Sequence, residues 1–190
     1  TDLHLLRQAG ADAAAAWRAG DRPDCLATLR AAADVGRLAS PGTGVLAPQA
    51  AVHLGHAAGA ALLADATGGD HALALAAVLV ASPHPGLRLL APHLLTPLAA
   101  SDLLAVARIV DLCPVCRDPA TMAALVIPLT AAGQRDPAGL GRALTERLRH
   151  TPPGPVAGLV TQVALALRQR SRAGGRDFLA ALARPPTSQD

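Results

Sequence analysis

The amino-acid sequence predicts an all-α protein, and three observations carry this prediction. Alanine and leucine, both strong helix formers, dominate the composition. Runs of β-branched residues are short, and the Asn-Gly and Asp-Gly pairs typical of β-hairpin turns do not occur. Breaks rich in proline and glycine recur at intervals that suit short helices. We therefore predict about ten short antiparallel helices, arranged either as a stack of helical hairpins or as an irregular bundle.

Aspartate before proline marks two helix starts. Asp118 precedes Pro119 and Asp136 precedes Pro137, so each aspartate can cap a helix while the proline occupies its first turn, where the missing N–H costs nothing. Asp70 and Ser101 are further candidate caps. The breaks between helices are predicted at Asp21–Pro23, Ala39–Gly44, Thr67–Gly69, Ser82–Gly86, Thr96–Ser101, Cys113–Pro119, Gly133–Pro137, Thr151–Pro155 and Gly174–Gly175.

The 190 residues are predicted to form one domain, with N-terminal helices in 1–66, helical hairpins in 67–172, and a C-terminal helix and tail in 173–190. A hydrophobic fraction of 51% argues against disorder. No apolar run reaches the roughly 18 residues of a membrane span, so no membrane partner is expected. The charged first twenty residues lack a secretion-signal core, and three cysteines suggest no disulfide framework, so we expect a cytoplasmic protein.

Two prolines at similar places indicate repetition. Leu89-Leu90-Ala91-Pro92 and Leu125-Val126-Ile127-Pro128 each place a proline inside a predicted second helix, 36 residues apart. The segment from Gly86 to Leu95 resembles the second helix of a HEAT-type repeat in its apolar-Arg-x-x-Ala-x-x-Leu spacing. The resemblance covers about residues 70–170, and it implies stacked hairpins with an extended binding surface.

Cys113-Pro-Val-Cys116 is the most specific local motif. C-x-x-C is typical of half a zinc site or of a redox pair, and a structural helix–loop junction is the third interpretation. Helix N-terminal dipoles favour thiolates, so a helix following the motif would lower the cysteine pKa values. His53 and His56, which share a helix face, are the candidate ligands that would complete a zinc site. No cofactor is expected, and zinc bound by these four residues is the alternative that the motif leaves open.

Arginine is the only strongly basic residue type, and it is concentrated near the C-terminus. Residues 142–184 hold eight arginines against Glu146 and Asp177, a local balance of +6 in a chain of net charge +3. The absence of lysine indicates high-GC, bacterial coding, which inflates the arginine count. The candidate contacts to nucleic acid or to an acidic partner are Arg142, Arg149, Arg168, Arg170 and Arg172.

The sequence contains none of the catalytic motifs that would indicate an enzyme. Histidines and carboxylates show no catalytic pairing, and neither a G-x-S-x-G motif nor a phosphate-binding loop occurs, so no catalytic residue is assigned. The sequence favours a non-enzymatic interaction or scaffold module that binds another protein. Two alternatives remain open: a nucleic-acid-associated subunit that contacts phosphates through its C-terminal arginines, and a C-x-x-C redox or zinc-binding protein. The oligomeric state is left open.

Overall fold

The computed structural model describes residues 3–38, 48–150 and 154–184, and every regular element in these ranges is helical. Leu125 alone separates the seventh helix from the eighth, so counting these two as one interrupted helix gives ten. The all-α prediction is therefore confirmed. The elements are α1 (Leu3–Arg18), α2 (Arg22–Leu38), α3 (Pro48–Leu62), α4 (Gly68–Val80), α5 (Pro85–Ser101), α6 (Ala105–Val110), a 3-10 turn (Cys113–Val115), α7 (Pro119–Ala124), α8 (Val126–Arg135), α9 (Pro137–Leu148), α10 (Pro155–Arg170) and α11 (Arg172–Ala183).

Helices α1, α3, α5, α8 and α10 form a first row in which each helix packs on the next. Contacts at their C-terminal ends give their direction. Arg18 at the end of α1 donates to the carbonyl oxygen of Leu62 at the end of α3, at 3.0 Å. Arg135 at the end of α8 donates to the carbonyl oxygen of Ala100 in α5, at 2.6 Å. Helices α1 and α3 therefore run parallel to each other, and so do α5 and α8.

Helices α4, α6, α9 and α11 form a second row, and ion pairs join its first three members. Arg108 of α6 pairs with Asp70 of α4. Arg147 of α9 donates through Nε to Asp111, which follows α6, at 2.8 Å. The two contacts are not equivalent, since Asp70 lies in the first turn of α4 whereas Asp111 follows the last residue of α6. The two rows form an all-α bundle, and its description as a stack of repeated hairpins stays a prediction. Membership of the HEAT family stays a prediction.

Small residues bring the helices of the first row into close contact. One apolar cluster extends from Leu6 to Phe178 and consists mainly of leucine, alanine and valine. A Cβ atom added to Gly55 of α3 would lie 2.6 Å from the Cβ atom of His93 in α5, and one added to Gly59 would overlap the carbonyl oxygen of Leu94. The backbones of α3 and α5 therefore touch, which compensates for the scarcity of bulky aromatic side chains.

The predicted break at Thr96–Ser101 is wrong, because α5 continues through Pro92 and Pro97 to Ser101. Leu95 and Leu98 in this stretch are buried, and their burial offsets the helix-breaking cost of Pro97. The Thr96 hydroxyl also donates to the Pro92 carbonyl oxygen at 2.8 Å. Pro128 lies in the first turn of α8 rather than inside a continuous helix, so the two prolines are not equivalent.

Two of the four predicted helix N-caps are confirmed, and two are wrong. Asp118 and Asp136 cap α7 and α9, and each side-chain carboxylate accepts from a backbone N–H of the first turn. Asp70 lies inside the first turn of α4, and Ser101 is the last residue of α5, so neither is an N-cap. The predicted break at Gly174–Gly175 is also wrong, because both glycines lie within α11.

Two predicted breaks fall wholly or partly outside the described residues. They are Ala39–Gly44 and, for its first three positions, Thr151–Pro155. Among the helices that the structure describes, none combines the length and the hydropathy that crossing a membrane requires.

Candidate functional site

A close crossing of α9 and α11 builds the first candidate site. A Cβ atom added to Gly141 would lie 2.6 Å from the Cβ atom of Ala181 and 2.8 Å from the carbonyl oxygen of Phe178. Glycine at position 141 therefore allows the two backbones to touch. Phe178 is fully buried and anchors α11 at this crossing.

The surface beside this crossing is a groove with a volume of about 650 Å³, which we call the α9–α11 groove. Alanines provide much of its lining, and their small side chains leave the space between the helices open. Charged residues of both signs surround the alanines. The lining residues are Ala138, Arg142, Ala143, Thr145, Glu146, Arg149, Asp177, Ala180, Ala181 and Arg184.

The arginines of the α9–α11 groove differ in how they are paired. Arg149 contacts Glu146 on the same helix, with 2.8 Å between Nη1 and Oε2. Arg142 and Arg184 are exposed and form no ion pair with any residue in the described part of the chain. The groove therefore presents two arginines that are available to a partner, next to the Arg149–Glu146 ion pair.

A second depression, the α10–α11 hollow, lies at the junction of the last two described helices and has a volume of about 360 Å³. Gly175 permits it, since a Cβ atom there would lie 2.9 Å from the Cα and Cβ atoms of Arg168. The close approach brings Arg168 beside Arg172 and Arg176, and Leu179 completes the lining. No acidic residue lines this hollow within the described ranges.

The five arginines predicted from the sequence do not form one patch. Arg142 and Arg149 line the α9–α11 groove, whereas Arg168 and Arg172 line the α10–α11 hollow. Arg170 lies apart from both: with the Gln134 amide oriented so that its oxygen faces the guanidinium, that oxygen accepts from Nε at 2.9 Å.

Sequence reasoning missed Arg176 and Arg184 as site residues. The spacing of Arg168, Arg172 and Arg176, four residues apart in each case, was the available signal for the first of these. Arg184 joins Arg142 and Arg149 only through the crossing of α9 and α11, which no local spacing reveals.

The C-x-x-C motif lies in the 3-10 turn and the residue that follows it, ahead of α7. Cys113 is buried, and the Cys116 thiol donates to the carbonyl oxygen of Leu112 at 3.3 Å. Burial, followed by the charges of Cys113 and Asp118, raises the pKa of Cys116 to about 11. The expected lowering by a helix dipole is therefore wrong in direction, and at neutral pH Cys116 is a thiol rather than a thiolate.

Contacts around the C-x-x-C motif tie it to the preceding hairpin. The backbone N–H of Arg117 donates to the carbonyl oxygen of Val80 at the end of α4, at 3.0 Å. Arg88 of α5 pairs with Asp118 at 2.8 Å between Nε and Oδ2, and also donates to the carbonyl oxygen of Ser82. These contacts support the structural interpretation of the motif.

The structure does not assemble the four candidate zinc ligands. His56 lies against His93 of α5, with ring centroids 6.2 Å apart, and burial lowers the pKa of both histidines. Across the described ranges, no three histidine, cysteine or acidic side chains come together as a metal would require. His53 and His56 are therefore not joined with Cys113 and Cys116 in one ligand set.

Alkaline pH is expected to destabilise the protein through its cysteines. Burial raises the pKa of Cys25 from 9.0 to about 11, as it does for Cys116, so the folded state holds protons that the unfolded chain releases. The free energy of unfolding should be nearly constant below about pH 8. Between pH 9 and 11 it should fall by on the order of 2 kcal/mol from the fully buried Cys25, and the partly exposed Cys116 should add a smaller loss. The chain has no lysine or tyrosine to mask this effect.

Urea unfolding at a series of pH values tests this expectation. A variant with all three cysteines replaced by alanine should show a much flatter profile between pH 9 and 11, whatever its stability at pH 7. An unchanged alkaline slope in that variant would mean that the thiols are not responsible.

A comparison with known protein-family models, with characterised proteins and with solved structures found no match to the chain.

Proposed function

We propose that this protein is a non-enzymatic helical-repeat interaction module, acting in the cytoplasm, that binds another protein through the α9–α11 groove. The observation that carries the proposal is the lining of this groove: alanines in the space between two helices, bordered by Arg142, Arg149 and Arg184 with Glu146 and Asp177. An apolar centre with a charged rim, enriched in arginine, is typical of protein–protein interfaces.

The architecture supports this function as well. Stacked helical hairpins form extended surfaces rather than deep polar pockets. The groove is lined without aromatic side chains, whereas sites for small organic ligands are usually lined with them. Because the rim carries both positive and negative charges, ion pairs with a partner of complementary charge could determine which protein binds and how it is aligned in the groove.

A nucleic-acid-associated function is the second candidate, and the α10–α11 hollow is the observation that favours it. Its three arginines offer phosphate contacts without a competing acid in the lining. Two features weigh against it: Glu146 and Asp177 interrupt the basic surface in the groove, and Trp17 and Phe178 are buried, so neither is available to stack on bases.

Photo-cross-linking in the native cell tests the proposed function. A photoreactive residue at Ala180, an exposed position in the groove, should yield a discrete adduct with one protein. The same residue at Ala31, exposed on α2 and remote from the groove in sequence, serves as the control and should not yield that adduct.

The groove arginines and a nuclease treatment make the test specific. Arg142→Ala combined with Arg184→Ala should abolish the adduct, since partner carboxylates would lose both unpaired cations of the groove. Nuclease digestion should leave the adduct unchanged. An adduct that forms equally from Ala31, or that nuclease removes, would contradict a protein-binding groove, and the latter result would favour the nucleic-acid hypothesis.

A further inference from the structure

We propose that the α10–α11 hollow binds an acidic segment of a partner protein that places an apolar side chain next to its carboxylates. This inference rests on the proposed function, because it specifies the chemistry of a protein partner. It concerns a second surface, since the hollow uses Arg172, Gly175, Arg176 and Leu179 of α11, and none of these residues lines the α9–α11 groove.

Unbalanced charge is the first support for an acidic occupant. Arg168, Arg172 and Arg176 are all exposed, and none forms an ion pair with another residue of the described ranges. Arginine matches carboxylates through a planar fork of donors, so adjacent acidic residues on one segment could engage more than one of the three.

The positions of two of these arginines are not explained by helix stability. Arg168 lies in the last turn of α10, where a positive charge suits the helix dipole. Arg172 is the first residue of α11, where a positive charge opposes the dipole, and Arg176 follows one turn later, where the two like charges repel. A bound carboxylate would offset the unfavourable interaction of Arg172 with the helix dipole and also the repulsion between Arg172 and Arg176.

Leu179 distinguishes a peptide from a nucleic acid. It lines the hollow beside the three arginines and is 47% exposed. The sugar–phosphate backbone of nucleic acid offers anionic oxygens but no aliphatic side chain to cover a leucine. A peptide carrying leucine among its acidic residues satisfies the arginines and covers Leu179 together, so the lining favours protein.

Fluorescence anisotropy with the full chain tests the inference. The first probe is a fluorescein-labelled peptide that repeats Asp-Asp-Leu, and the second repeats Asp-Asp-Ser at the same length and charge. A labelled DNA duplex is the third. The Asp-Asp-Leu peptide should bind most tightly, and replacement of Leu179 by serine should weaken its binding to the level of the Asp-Asp-Ser peptide.

Arginine variants then separate local binding from net charge. Arg172→Ala combined with Arg176→Ala should weaken binding of the Asp-Asp-Leu peptide by at least about tenfold. The matched control is Arg7→Ala combined with Arg30→Ala, which removes the same charge from exposed positions on α1 and α2 and should change the affinity by less than about twofold. The melting temperature of the first variant should be unchanged or higher, because its arginines repel each other.

Several results would overturn the inference. These are equal binding of the two peptides, equal losses in the two arginine variants, tighter binding of the duplex than of either peptide, or no peptide binding at all. If the peptides fail while the Ala180 adduct persists, the hollow is not a peptide site and the proposed function stands. If the peptides bind as expected but the Ala180 adduct is absent, the proposal that the α9–α11 groove binds a protein is contradicted instead.

Discussion

Replacing Gly59 by alanine is expected to lower the free energy of unfolding by about 3 kcal/mol, although alanine is the better helix former. The added Cβ atom would overlap the carbonyl oxygen of Leu94, which is backbone and cannot rotate away. Helices α3 and α5 would have to separate, and the packing of Leu54 and Leu90, both fully buried, would loosen. Urea unfolding followed by far-UV circular dichroism measures the loss.

Gly158 provides the matched control. It also lies within a helix, α10, but no atom lies within 4 Å of a Cβ atom added there. Gly158→Ala should therefore raise stability by up to about 1 kcal/mol, through helix propensity alone. Opposite signs for the same chemical change would locate the effect in the α3–α5 contact. A stabilising effect of alanine at both positions would show that α3 and α5 do not pack as closely as the structure indicates.

The helical class was predictable because it depends on local chemistry. Alanine and leucine favour helix wherever they occur, and Asp118 and Asp136 cap helices through hydrogen bonds to the first turn that follows them. The same local reasoning failed at Pro97. There, the burial of Leu98 and its neighbours against other helices decides the outcome, and that burial is a property of the tertiary fold.

The candidate sites were predictable in part. The sequence shows that arginines are concentrated near the C-terminus. It does not show that they separate into the α9–α11 groove and the α10–α11 hollow, because that separation depends on close contacts at two glycines. Gly141 and Gly175 face Phe178 and Arg168, respectively, across helix interfaces, and these pairings set which arginines become neighbours. The sequence instead predicts a break between helices at Gly175, because glycine signals a turn more often than a helix crossing.

Replacing Phe178 by alanine is expected to cost about 3–5 kcal/mol and to abolish both binding sites together. Phe178 is the largest fully buried side chain among the described residues, and it anchors α11 next to Gly141 of α9. Without it, α11 would detach from α9, and both the α9–α11 groove and the α10–α11 hollow would lose one wall. Phe178→Leu, which retains most of the apolar volume, should cost much less and keep both sites.

The loss should be confined to the C-terminal hairpins. Helix α11 packs mainly on α9 and α10, so the loss of its packing should leave the distant helices nearly unaffected. Amide hydrogen exchange in the Phe178→Ala variant should therefore speed up in α9, α10 and α11 while α1 and α3 keep their protection. Leu165→Ala, at a half-exposed position of α10, should leave exchange unchanged throughout. Uniform loss of protection in the Phe178→Ala variant would instead show that the described helices unfold as one cooperative unit, and that binding and folding cannot be separated by changes in α11.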